Sequence, residues 1–145
     1  MRKDKYKCEA CEQGLEAVIE LEKKHMKKYG WYAHCVQSGD YQTPMGFNYH
    51  THGFPETLAH RDIQIVLPVD MKICHSIATT IFNKLQNYEP SAYWDGDLEE
   101  GIIKDYPVEF MEAMESGREV LRVILPDKNG KFGDEAEPPY NKQVD

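Results

Sequence analysis

Four of the six histidines lie between residues 50 and 75, and the densest polar run is Asn48-Tyr49-His50-Thr51-His52-Gly53-Phe54-Pro55-Glu56, with His60-Arg61-Asp62 and Gln64 just beyond. Imidazoles beside a carboxylate, an amide and a guanidinium are the groups that ligate a metal or hydrogen-bond an anionic or nucleotide-like molecule. In an extended chain the period of two sends Asn48, His50 and His52 to one side and Phe47, Tyr49 and Thr51 to the other. The same alternation groups His60, Asp62, Gln64 and Val66 on one side of a following strand. Were the two strands antiparallel neighbours, their polar sides would merge into one patch. The candidate ligand-binding set is therefore Asn48, Tyr49, His50, His52, Glu56, His60, Arg61, Asp62 and Gln64. The competing account is the solvated face of a one-sided sheet, with Glu56 and His60 as loop residues. Solvated faces favour Lys, Glu and Thr over His and Asn, which weighs toward a ligand site.

Other motifs are thinner. Cys8-x2-Cys11 offers two thiolates for zinc or a redox pair, yet no second CxxC follows, and Cys35 and Cys74 sit in apolar segments that suit small buried thiols. His25 and His34 would complete a zinc set only if the fold gathered them with the cysteines. There is no GxSxG elbow, and Cys74-His75, adjacent on a helix, point about 100° apart. Phosphate loops are absent, and the acidic run Asp95 to Glu100 lacks EF-hand spacing. These absences leave no catalytic residue to nominate. The spacing His50-x-His52-x3-Glu56 resembles the first metal-binding motif of the cupins, whose second motif supplies a histidine from a later strand. Here the later His75 falls in a helix.

The elements that must position these residues follow from periodicity. Leu15, Val18, Ile19, Met26 and Tyr29 recur at three- and four-residue steps and predict an amphipathic helix over Glu12 to Tyr29, ended by Gly30 with Lys27 and Lys28 in its last turn. Trp31 to Gln37, Met45 to His52 and His60 to Leu67 read as strands. After Pro68 and the N-cap candidate Asp70, the stripe Ile73, Cys74, Ile77, Ala78, Ile81, Phe82 and Leu85 predicts a second helix to about Asn87. A loop with a short strand near Ile102 follows. Val108 to Met114 and Glu119 to Leu125 then form a hairpin around Glu115-Ser116-Gly117. This order implies an α+β fold, a mostly antiparallel sheet with two main helices packed on one face.

Length and composition bound the rest. The 145 residues suit one domain, and 41% apolar with 29% charged residues is globular composition. The reading divides the chain into an arm with the CxxC (1–11), a single domain (12–126) and a polar tail (127–145). A net charge of −8 argues against non-specific nucleic-acid binding. No run approaches the roughly 18 apolar residues of a membrane span, and no secretory h-region opens the chain, so reduced thiols in the cytoplasm are expected.

The segment NYHTHGFPETLAHRDIQIVLP, the helix start DMKICHSI and the late strand EVLRVILPDKNG are similar to the uncharacterised bacterial and phage family called domain of unknown function 4262. The resemblance covers roughly Gly30 to Gly130. It implies the domain boundary and the importance of Tyr49 to Glu56, and no activity. Many members read tyrosine-threonine-x-glycine where this chain has Tyr49-His50-Thr51-His52, which restricts a two-histidine site to a subgroup. The expected function is a non-enzymatic module binding a small anionic, nucleotide-like signalling ligand on the His-rich sheet face. The alternatives are a metal-dependent hydrolase with His50, His52, Glu56 and His60 as ligands, and a protein-interaction domain. The sequence names no cofactor and leaves self-association open.

Overall fold

The computed structural model describes residues 15–37 and 43–144. The Cys8-Cys11 pair lies outside them. Leu15–Tyr29 is α1, Tyr32–Gln37 β1, Phe47–His52 β2 and Phe54–Leu58 a short α2. Asp62–Ile65 is β3, Met71–Gln86 α3, Leu98–Glu99 β4, Val108–Glu115 β5 and Arg118–Ile124 β6. Two single 3₁₀ turns, Gly133–Glu135 and Tyr140–Lys142, follow.

The fold is α+β. One six-stranded sheet runs β1-β2-β3-β6-β5-β4, and every pair is antiparallel except β3 with β6. Local chemistry explains its ends and turns. The β5–β6 connection places Ser116 and Gly117 at φ 50° and 84°, two successive left-handed residues of the kind that match the twist of a tight hairpin. Asp70 caps α3 by accepting from the Lys72 backbone N–H at 2.7 Å.

The apolar sides of the strands, with Phe47, Tyr49, Ile63, Ile65, Phe110, Leu121 and Val123, bury against the α3 stripe of Cys74, Ile77, Ala78, Ile81, Phe82 and Leu85. Trp31 closes this core, its ring 5.9 Å from Phe54 and 6.1 Å from Phe82. The helix α1 meets the sheet along β1, where Glu22 reaches His34. Gly53, at φ +111°, lets the chain pass under α1: a Cβ there would stand 2.6 Å from Met26 Sδ and 2.7 Å from the Gly30 carbonyl oxygen.

The strand predicted from His60 to Leu67 begins only at Asp62, because His60 and Arg61 belong to the turn after α2. The short strand expected near Ile102 is instead Leu98–Glu99. The short helix α2, not anticipated, starts with Pro at its first turn. No helix among the described residues is long and apolar enough to cross a membrane.

Candidate functional site

Strand register assembles the site. His34 on β1 pairs with His50 on β2, which pairs with Gln64 on β3, which pairs with Arg122 on β6. One step along, Tyr32 pairs with His52. All these side chains therefore share the face opposite the α3 core. That face is not a solvated one: Asn48, His50, Gln64 and Arg122 are all buried.

Three imidazoles converge there. One ring nitrogen from each of His34, His50 and His52 lies within 4.8 Å of the others. Ring centroids are 4.7 Å apart for His34 and His52, 5.0 Å for His50 and His52, and 5.6 Å for His34 and His50. Tyr32 stacks on His52 at 5.1 Å.

Hydrogen bonds fix the outer edges of two rings. His34 Nε2 lies 2.7 Å from Glu22 Oε2; a carboxylate accepts, so this nitrogen carries the hydrogen. His50 Nδ1 lies 3.1 Å from Asn48 Oδ1. His52 Nε2, by contrast, is buried without a hydrogen-bond partner among the described residues. Burial first, then Arg118 and the neighbouring histidines, push the His52 pKa down to about 3. Its ring is neutral at neutral pH and presents a lone pair rather than a charge.

A carboxylate and a guanidinium border the cluster. Glu115 Oε2 is 3.6 Å from His50 Nε2. Burial acts to raise the Glu115 pKa, but His50 and Arg118 outweigh it and bring it below the usual range. Arg118 donates to Glu115 and Asp62 and to the Thr51 carbonyl oxygen, at 2.8, 2.7 and 2.8 Å. A cleft of about 580 Å³ opens beside the cluster between α1 and β1, lined by Ile19, Glu22, Lys23, Met26, Lys27 and Tyr32. Two of those residues, Glu22 and Tyr32, touch the histidines directly.

The sequence-derived set divides. Asn48, His50, His52 and Gln64 lie together on this face. Asp62 is buried nearby, but it serves as a tie: it accepts from Thr51 Oγ1, the Phe54 N–H and Arg118. Burial raises its pKa despite those donors. Tyr49 faces the α3 core, its hydroxyl 3.4 Å from His75 Nδ1. Glu56 is exposed on α2, and Arg61 faces Glu112 and Glu119 at 3.3 and 3.9 Å.

His60 is not brought into the histidine cluster. Its Nδ1 lies 2.7 Å from the Arg61 carbonyl oxygen and its Nε2 accepts the Tyr93 N–H at 3.1 Å, so both nitrogens are engaged by backbone. His60 falls before the strand, so the alternation that was to align it with Gln64 does not apply. Sequence reasoning missed His34, Glu22, Arg118 and Arg122 as neighbours of the site. The alternation Tyr32-x-His34, facing His50 across a hairpin, was the signal available for the first.

No family model, curated protein or solved structure matches this chain. The functional reading therefore rests on the chemistry of the site itself. Elsewhere, Cys74 is buried, with its thiol pushed up to about 12 by burial, and Cys35 is half-buried and shifted the same way, so neither is an activated nucleophile.

Proposed function

We propose that this chain is a metal-binding domain in which His34, His50 and His52 hold a divalent transition-metal ion and leave a coordination position open to a small anionic ligand. Two observations together carry the reading: one ring nitrogen from each of three imidazoles lies within 4.8 Å of the others, and the Nε2 of one of those rings, His52, is buried without a hydrogen-bond partner among the described residues. A buried polar atom left unpaired is costly, and an ion supplies the missing partner. Neutral imidazole donors suit zinc, copper, nickel and iron, and three protein ligands with a vacant position are the arrangement of catalytic rather than structural zinc.

The anionic ligand enters this reading through the ion. An imidazole with a pKa of about 3 brings no positive charge to an anion by itself. A bound cation does, and Lys23 and Lys27 line the adjacent cleft. The resemblance to domain of unknown function 4262 adds no activity to this proposal.

The test is elemental analysis of protein purified without a histidine tag, followed by titration with zinc, nickel and manganese. One ion per chain is expected in the wild type, together with a raised Tm. His34→Ala,His52→Ala protein should stay folded and lose both. Wild-type protein that neither contains nor is stabilised by any of these ions refutes the proposal.

A further inference from the structure

A buried chain of side-chain amides runs from the C-terminal segment to His50, and its hydrogen-bond polarity can be followed link by link. Arg122 Nε has only a hydrogen to offer, and it lies 2.8 Å from Gln64 Oε1. The carbonyl end of Gln64 is thereby committed to Arg122. Its amide end, Nε2, lies 3.2 Å from Asn48 Oδ1 and donates to it. That oxygen is an acceptor, so His50 Nδ1, 3.1 Å away, carries a hydrogen pointing at it. At the far end, Arg122 Nη1 donates to the Gln143 carbonyl oxygen at 2.8 Å. Gln143 is itself clamped, since its side chain accepts from the Leu125 N–H at 2.9 Å and donates to the Leu125 carbonyl oxygen at 2.7 Å.

We infer that Asn48 is a positioning residue for the metal centre: it keeps the His50 hydrogen on Nδ1, so that Nε2 is the only His50 atom able to bind the ion. The inference rests on the metal-binding reading and adds the ligand atom and the residue that selects it. The hydrogen stays on Nδ1 whether the ring is neutral or charged, because Asn48 Oδ1 accepts in both cases. Glu115 Oε2, 3.6 Å from Nε2, sits on the side from which the ion must replace any proton held there. On His34, Glu22 stands in place of the amide and holds the Nε2–H at 2.7 Å. Acceptors that fix the outer nitrogen of a ligating histidine are a recurrent part of metal sites. Here the His50 acceptor is itself oriented by Gln64 on β3, which is in turn held by Arg122 on β6, the two central strands.

Nitrogen-15 imidazole NMR of metal-free protein in mildly alkaline buffer reads the tautomer directly. The expected wild-type spectrum places the His50 hydrogen on Nδ1. Asn48→Leu removes the acceptor at similar volume; the Nδ1–H signature should be lost and zinc affinity should fall about 10- to 100-fold, on the order expected for losing the hydrogen-bond partner of a ligating histidine. Asn48→Asp, which keeps an acceptor oxygen, should restore the signature and most of the affinity. A wild-type hydrogen on Nε2, or a folded Asn48→Leu protein with undiminished zinc affinity, overturns the inference. If Asn48→Leu does not fold, the wild-type spectrum still decides the tautomer. If the wild type binds no ion, the metal role falls with the proposed function, and the spectrum separately shows whether the amide chain sets the proton.

Discussion

His60→Ala and His34→Ala should have opposite consequences, and the contrast separates a structural histidine from a ligand. His60 is 7% exposed, accepts the Tyr93 N–H at 3.1 Å, contacts the Arg61 carbonyl oxygen at 2.7 Å and packs edge-on to Tyr93 at 6.2 Å. Leaving the buried Tyr93 N–H unpaired costs about 1–3 kcal/mol, and losing the second bond about 1 kcal/mol more. The total is about 3 kcal/mol, which for a chain of this size lowers Tm by roughly 10 °C. His34 sits at a half-exposed position, and its bond to Glu22 is worth at most about 1 kcal/mol to stability. As a ligand, however, its loss should exceed the roughly 10- to 100-fold effect typical of removing a residue that only hydrogen-bonds a ligand. Urea denaturation of the metal-free proteins and zinc titration against a chromophoric chelator measure the two quantities. His60→Ala should keep wild-type zinc affinity with reduced stability, and His34→Ala the reverse. Should His60→Ala abolish binding while stability is unchanged, the ligand set of His34, His50 and His52 is wrong.

Two further outcomes are expected. His52 titrates near 6.5 when unfolded and about 3 when folded, so unfolding takes up a proton between those values and the folded state is progressively destabilised as pH falls through that window. Full burial would give roughly 5 kcal/mol; partial solvent contact reduces this to about 2–3 kcal/mol. Metal-free His52→Gln protein should show a correspondingly flatter stability profile between pH 6.5 and pH 3 in urea titrations, and an unchanged slope would contradict the assignment. Gly53→Ala adds a Cβ 2.6–2.9 Å from Met26, Gly30 and Trp31 at φ +111°. Left-handed strain and overpacking together should cost about 3 kcal/mol, and a variant as stable as the wild type would rule out that close approach.

The period of two sufficed to pair His50 with His52 and to separate both from Tyr49, because parity survives any error in strand ends. It failed for His60, where the strand began two residues later than the pattern implied and a turn residue was counted as a strand residue. The sequence offers His34 only as a partner for the cysteines, because its place beside His50 comes from register: the β1–β2 pairing sets the two opposite each other. Glu22, on a helix with Ile19 and Leu21 still exposed, gave no sign of which part of the sheet its helix would meet. Gln143 read as part of a polar tail, yet its side chain is fully buried on the Leu125 backbone. Composition reports the average polarity of such a segment and not the one amide that finds a partner.

The parallel contact between β3 and β6 divides the sheet into two ribbons, each built from neighbours in the chain. What crosses that seam includes polar couples as well as apolar ones: Asp62 with Arg118, and Gln64 with Arg122. Such couples tolerate no slippage, since a shift of one residue would turn the Arg122 guanidinium into the apolar core. The seam thus works as a keyed joint, in which the same amide that aligns the two halves also passes orientation on to His50.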